Sequence, residues 1–493
     1  MQSHDVVVVG KGNAALCAAL AARDEGASVA MLEAASEEEH GGNTRFAGGV
    51  MRFAYATVED LKRVTDLTAD EIANSDFGTN TREEYLDDLY RLTSYRTDPD
   101  LSEILVNRSL DTMVWLRSKG ARFVPNYGRQ SGMVGGRRRF FGRMPIEVSG
   151  GGAGLVQCLD AAAKKTGIEV FFDTRATALL YDGERVSGVR ARQKGKTAEF
   201  RAQSVVLACG GFEANPEWRA RYLGPGWELA KVRGTRFNMG DGLRMALDIG
   251  AAPCGNWSGC HATGWDRNAP EFGDVNVGDQ FQKHSYIFGL LVNAEGRRFV
   301  DEGLDFHSFT YARYGGEVLK QPGQFAWQVF DSKVKHLLRP EYRIKFMTKV
   351  SANTLEELAA KLEGVNAENF LKTVRDYNAA VKKDAAFDHT VKDGKCTVGI
   401  EPPKSNWAQA LDAPPFDAYA TTCGITFTFG GLRIAKETGQ VLDVHFHPIS
   451  GLYTAGEMVG GLFYFNYPSG TGLVSGAVFG RLAGASAGKA AKS

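Results

Sequence analysis

The hydrophobic spacing at the start of the chain predicts a strand, a turn and a helix. Val6–Val9 is a β-branched run, the glycines of Gly10–Gly12 break it, and an alanine-rich stretch with helical periodicity follows from Asn13. A second apolar strand ends in Glu33 and completes a βαβ unit. From about Val58 to Gly120 the pattern is helical with polar faces, and Asp70-Glu71 and Thr81-Arg82-Glu83 read as helix starts. The basic, glycine-punctuated stretch Gly135–Gly154 reads as a loop hugging a ligand, before a helix that begins near Leu155. Strand signals resume at Glu169–Phe172, Ala176–Tyr181, Val186–Arg192, Glu199–Arg201 and Ser204–Ala208, closing on the turn ACGGFEANP. Between about Asn256 and Phe427 the texture changes to aromatic-rich loops, with a two-helix stretch near Thr354–Lys382 and few repeated β signals; afterwards glycine, strand and helix signals return. That break predicts one domain from residues 1–255 and 428–493 and an inserted cap domain over 256–427. The expected class is α/β, a Rossmann-like domain with an inserted α+β cap. The alanine-rich last ten residues predict a frayed tail.

Composition narrows the picture. At 493 residues the chain is longer than a single core supports, which agrees with two domains. Hydrophobic residues at 43% and charged residues at 24% are ordinary for a folded soluble protein, and no run approaches the roughly 20 apolar residues of a transmembrane segment. The 58 basic residues cancel the 58 acidic ones, so no net field holds a polyanion and nucleic acid is not an expected partner. Val6–Val9, preceded by Asp5, is too short and wrongly flanked for a signal peptide, so the expected location is the cytoplasm. The 7 cysteines form no C-x-x-C pair and read as buried reduced thiols. Without an iron–sulfur or c-haem wire, electrons must come and go through something else.

The first turn carries the chemistry. Gly10-x-Gly12-x-x-Ala15 follows a strand and opens a helix, the context in which small residues let backbone amides and a helix N-terminus approach a pyrophosphate. Asn13 and Ala14 sit in that turn. Glu33 ends the second strand about twenty residues on, where an acidic side chain accepts ribose hydroxyls and repels a 2′-phosphate, favouring FAD or NAD over NADP. Gly41-Gly42-Asn43-Thr44 just beyond it, and the late LYTAGEMVGG leading to SGTGLVSGAVFGRLAG, tilt the reading to a flavin. The late segment would set a second helix N-terminus at the isoalloxazine.

With these motifs the chain resembles the flavoprotein family of fumarate reductases, succinate dehydrogenases and 3-ketosteroid Δ1-dehydrogenases, over essentially its whole length. HGGNTRFAGGVMRFAY, SGCHATGWD, LLVNAEGRRFVDEG, CGITFTFGG and GLFYFNYPSGTGL resemble in particular its tricarballylate dehydrogenase subgroup. The resemblance implies FAD, noncovalent or His-linked, with His40 the place to look for a link. It also implies cofactor contacts at Gly48, Gly49, Ala176, Gly210, Gly211, Asp241, Gly456, Glu457, Gly472 and Leu473.

Desaturating an acid needs a hydride acceptor, a base for the neighbouring proton and cations for the carboxylates. His261 in GCHATG resembles the substrate-binding H-P-T segment of fumarate reductases, and Thr428 is a second expected substrate contact. Where those enzymes carry a proton-donating arginine, this chain reads LDFHSFTYARYG; Phe306 or His307 takes the place, with Arg313 a little further on. His307, whose unperturbed pKa lies near 6.5, is the expected base, and Arg313 the alternative cation. The second arginine of the family, near the C-terminal glycine run, is replaced by Tyr467. A tyrosine there resembles that of the ketosteroid dehydrogenases, so Tyr464 and Tyr467 are site candidates. Arg137, Arg138, Arg139 and Arg143 read mainly as a solvated charge run, and His445-x-His447 lacks a third ligand, so no metal is expected. The implied reaction is FAD-dependent desaturation of a tricarballylate-like polycarboxylate, with electrons passed to an external, membrane-associated carrier protein. The alternatives are a ketone or ring desaturase, or an oxygen-using flavoprotein.

Overall fold

The computed structural model describes residues 2–492. The opening motif folds as read: β1 (Gln2–Val9), α1 (Asn13–Asp24) and β2 (Val29–Leu32) form a parallel βαβ unit. The first sheet has 8 strands. Its parallel core runs Pro448–Thr454, Lys196–Leu207, β1, β2, Glu169–Phe171, so a late strand joins the sheet beside Lys196–Leu207, one strand away from β1. Val6, Val7 and Val8 are fully buried, Val6 and Val8 against the side of α1 and Val7 against the side of strands Thr174–Tyr181 and Val186–Gln193, which is why the run does not alternate. The separate strand signals at Glu199–Arg201 and Ser204–Ala208 are one continuous strand, Lys196–Leu207.

The last residues are not a frayed tail. Thr471–Ala490 is a 20-residue helix packed along α1. Glycines every four residues make the contact possible. A Cβ on Gly480 would sit 2.5 Å from the Ala14 carbonyl oxygen, and one on Gly484 only 2.0 Å from that of Ala18. Close approach of the two backbones buries Ala483 and Ala487 and sets the first turn of this helix beside that of α1. Among the described residues no helix is long and apolar enough to cross a membrane.

The region expected as aromatic loops holds a 6-stranded sheet. Its central strand, Phe416–Leu432, is 17 residues long and pairs with Lys231–Val232, Pro253–Asp266, Ala326–Phe330 and Lys349–Ala352, while Leu290–Asn293 pairs with Ala326–Phe330. Both ends of the expected insertion, 256 and 427, thus fall inside continuous strands. The β signal was hidden because almost every position of Phe416–Leu432 is buried, leaving no alternation to read. Its glycines, which suggest loops, are required by packing: a Cβ on Gly424 would lie 2.8 Å from Trp265, and one on Gly430 2.6 Å from Trp257. The expected helix pair is present as Leu355–Lys361 and Ala367–Ala380.

The basic stretch at Gly135–Gly154 is a surface hairpin, Ser131–Val134 with Arg137–Phe140, rather than a ligand loop. Its arginines bind Ser75, Thr390, Glu84 and Asp88, and none of the four lines the central cavity. The following helix starts at Gly151, because Gly152 packs where a Cβ would meet the Thr44 carbonyl oxygen. Of the cysteines, Cys17, Cys260 and Cys423 are buried and the other four only partly so.

Candidate active site

One cavity runs from the βαβ turn to the second sheet. Its first half is made largely of backbone. Gly12 caps the N-terminus of α1, and the Asn13 amide donates to Thr44 Oγ1 at 3.0 Å. Gly10 takes a φ of 106°, and a Cβ there would lie 2.4 Å from the Ala208 carbonyl oxygen. Asn13 Nδ2 donates to the Leu473 carbonyl at 2.7 Å, tying α1 to the C-terminal helix. Glu33 is buried at the far end, its Oε1 accepting the Ala35 amide at 2.8 Å, and burial pushes its carboxyl up to about 7. A buried acid at a strand end is the complement of a ribose diol. Two helix N-termini, glycine walls and this carboxyl fit FAD: Glu33 and Ala176 at the adenosine, Gly12–Ala14 at the pyrophosphate, Gly456, Glu457 and the Gly472–Leu473 turn toward the ring.

The expected cofactor residues Gly10, Gly12, Asn13, Ala14, Glu33, Gly42, Asn43, Thr44, Gly48, Gly49, Ala176, Gly210, Asp241, Gly456, Glu457, Gly472 and Leu473 all line this cavity. Three do not. Ala15 faces the core, Gly41 packs on Val156, and Gly211 sits behind the wall, where a Cβ would strike Glu457 Oε1 at 2.1 Å and Thr428 Oγ1 at 2.2 Å. Gly48 serves a second purpose, since a Cβ would meet Arg129 Nη1 at 2.2 Å. His40 does not line the cavity; its Nδ1 lies 3.3 Å from Lys11 Nζ.

The second half is made of side chains. Arg129, Arg233 and Arg339 converge there with Asp279 and Glu341. Arg233 pairs with Asp279 at 2.6 Å and Arg129 with Glu341 at 2.7 Å. Arg339 is 8% exposed, and among the described residues no carboxylate lies within 4.0 Å of it. Its guanidinium donates to Gln282 Oε1 at 3.2 Å, His284 Nδ1 at 3.3 Å, the Arg129 carbonyl at 3.4 Å and His307 Nε2. Because His284 Nδ1 accepts from Arg339, its Nε2–H donates to Thr263 Oγ1 at 2.6 Å. Three guanidiniums against two close carboxylates leave one positive charge over; Glu147, farther out, is pushed up by burial.

His307 is no exposed loop residue. It opens the buried helix His307–Leu319 and lines the cavity. Burial, then Arg339 and Arg129, hold its imidazole well below the ordinary histidine range, and Arg339 occupies the Nε2 lone pair. It is therefore a neutral partner of a cation, ill suited to the role of base. Arg313, expected as the alternative cation, is exposed and lies outside the cavity. Tyr311, one helical turn from His307, shares its face, whereas two further residues rotate Arg313 by about 200°.

Tyr467 is buried in the cavity wall, while Tyr464 is only half-buried and outside it, on the other side of the turn at Phe465. The Gly470 amide donates to Tyr467 Oη at 3.1 Å, Tyr311 Oη lies 3.0 Å away, and Ser469 Oγ donates to Tyr311 Oη at 3.3 Å. Burial pushes both phenols up, and the Arg233 charge opposes it. His261 packs between Tyr311, Phe427 and Tyr467, held neutral by burial, with its buried Nδ1 unpartnered. Thr428 lines the same wall, its amide donating to Glu457 Oε1 at 2.6 Å.

The candidates Arg129, Arg233, His284, Tyr311 and Arg339 escaped sequence reading. Only Tyr311 had a signal, its i+4 spacing from His307. Arg339 stands in LLRPEYR, a cap segment with no motif.

This architecture is that of an FAD-dependent oxidoreductase acting on CH–CH groups. Over residues 5–473 the chain matches the family described as FAD binding domain. It is 30% identical to the NADH:fumarate oxidoreductase of Klebsiella pneumoniae, with 100% of this chain aligned to 48% of that protein, so it spans about half of that relative's length. It is 25% identical to a 3-oxosteroid 1-dehydrogenase of Mycobacterium tuberculosis, covering 98% of each. The fold resembles the open conformation of a flavocytochrome c3 fumarate reductase at a TM-score of 0.75 and 28% identity, covering 100% of this chain and 79% of that one. The protein belongs to this FAD-binding family, in the line of the fumarate reductases.

Proposed function

We propose that the protein desaturates a C–C bond of a small polycarboxylic acid, with tricarballylate, giving a cis-aconitate-type alkene, as the substrate to test first. The observation that carries this reading is Arg339, a buried guanidinium whose partners are all neutral. A substrate carboxylate supplies the missing charge beside a guanidinium that Gln282, His284 and His307 hold in place. A second acidic end finds His261 Nδ1, Tyr467 and the N-terminus of helix Thr471–Ala490.

Bound FAD supplies the hydride acceptor at N5. The proton on the neighbouring carbon goes to the Tyr467–Tyr311 pair. Both phenols are neutral at rest, so the pair accepts a proton only after passing one outward through Ser469, and the Gly470 amide and Arg233 stabilise the phenolate that remains. Electrons then leave to an external, membrane-associated carrier.

A second reading, desaturation next to a ring ketone, is favoured by the same tyrosine pair with its Gly470 amide, which suits a carbonyl oxygen. It leaves Arg339 without a purpose. Anaerobic titration of the flavin absorbance band tests both. Bleaching by tricarballylate that is lost in Arg339→Ala supports the acid reading; bleaching by steroid ketones alone, unchanged in Arg339→Ala, overturns it.

A further inference from the structure

Two buried carboxyls at the cofactor end, Glu457 in the cavity wall and Glu213 behind it, have no part in binding or desaturating the substrate. Glu213 lies at the end of the turn that follows strand Lys196–Leu207 and is fully buried. Its Oε1 accepts Asn43 Nδ2 at 2.6 Å and Asn238 Nδ2 at 2.5 Å, while its Oε2 is buried with no donor. Glu457 faces it, with Oε1 accepting the Thr428 amide at 2.6 Å and Thr428 Oγ1 at 3.0 Å. Among the described residues no lysine or arginine forms an ion pair with either. Arg219 acts on Glu213 through its charge alone: its Nη1 donates to the Ala230 carbonyl at 2.7 Å and its Nη2 to the Glu228 carbonyl at 3.1 Å, and its buried Nε has no partner. The other titratable group facing the pair, Cys260, is a buried thiol that stays neutral.

Two carboxyls in contact, dry and without a cation, cannot both ionise; one proton between them satisfies the orphaned Oε2 and leaves a single negative charge. Burial and the mutual repulsion push Glu213 well above the usual carboxylate range, and burial also raises Glu457. That charge sits between the pyrophosphate turn at Gly12–Ala14 and the substrate wall, beside Asn43, Thr428 and Gly456, all of which line the cavity where the ring end of FAD fits. Hydride arrival adds one negative charge to the flavin. Two buried anions side by side are costly at low effective dielectric.

We propose that Glu213 and Glu457 share one proton while the flavin is oxidised and take up a second from solvent when it is reduced. The step is an acid and a carboxylate plus H⁺ giving two acids; only an O–H bond forms, and both electrons come from the substrate hydride. The pair thus makes flavin reduction proton-coupled beyond what the flavin itself requires.

The midpoint potential of the FAD holoenzyme, followed against pH in a spectroelectrochemical cell, tests this without turnover. For a two-electron couple each additional proton steepens the slope by about 30 mV per pH unit. The wild type is expected to exceed the Glu213→Gln, Glu457→Gln double variant by about that amount over part of the pH range above the usual carboxylate range; equal slopes throughout overturn the proposal. Should the double variant not retain FAD, Glu213→Gln alone is read by reduced-minus-oxidised infrared difference spectra. A protonated-carboxyl band that rises on reduction in the wild type and shifts or vanishes in the variant supports the pair, and a band absent from the wild type or unchanged in the variant refutes it.

Discussion

The two halves of the cavity are built from different materials. The cofactor half is backbone: glycines that let chains approach, two helix N-termini, and one acid at a strand end. The substrate half is long charged side chains gathered from segments far apart in sequence, Arg129 just before strand Ser131–Val134, Arg233 just after Lys231–Val232 and Arg339 between Ala326–Phe330 and Lys349–Ala352. A backbone-built site tolerates changes in chemistry and fails when space is lost. A side-chain-built site keeps its shape under substitution and fails when charge is lost.

Filling space in the first half is the most severe way to break this contrast. Gly484→Leu should force the C-terminal helix off α1, costing about 3 kcal/mol, and thermal melting with flavin content should show a destabilised protein that copurifies with little FAD. A normally loaded, normally stable variant would refute the packing account.

Next in size is the Glu33 carboxyl. It is raised from 4.5 to about 7 in the folded chain, so the folded state holds the proton more tightly than the unfolded state. The resulting stability is full below about 4.5 and declines as pH rises through about 7, in total on the order of 3 kcal/mol. Denaturant titration of the apoprotein should show this decline, and Glu33→Gln should remove it.

In the second half, Arg339→Ala should leave FAD content and fold intact while weakening an acid substrate by about 2 to 3 kcal/mol, read as a raised substrate concentration for half-bleaching of the flavin. Loss of FAD from this variant would dissolve the division between the halves. The smallest effect belongs to His307→Ala, which unseats Arg339 without removing it and should cost about tenfold in kcat/KM, about 1.4 kcal/mol. Since His307 is held neutral, the wild-type pH–rate profile should show no limb from it between about pH 5 and about pH 8. A histidine limb that disappears in His307→Ala would restore it as the base.

Legibility followed the same line. The βαβ turn could be read because Gly10, Gly12 and Glu33 act through local geometry at fixed spacing. The second sheet could not, because Phe416–Leu432 is buried along its length and its glycines make room for Trp257 and Trp265 instead of marking loops. The last ten residues looked like a tail because the partner of their alanines and glycines, α1, lies at the other end of the chain.

His307 was found for its position relative to a family motif, yet its role as a base rested on an unperturbed pKa that burial and Arg339 remove. Arg313 was the alternative to His307 for its charge, and the helix turns it to solvent.

The sequence by itself determined a dinucleotide site: a strand, a glycine turn, a helix and a terminal acid act through backbone whose conformation is set within some thirty residues, and the later glycine segments tilted it to FAD. Only the tertiary structure decided the chemistry at the other end. Whether an arginine is paired or unpaired, or a histidine charged or neutral, depends on which groups the fold brings within a few ångströms and how much water it removes, and neither quantity is written in local spacing.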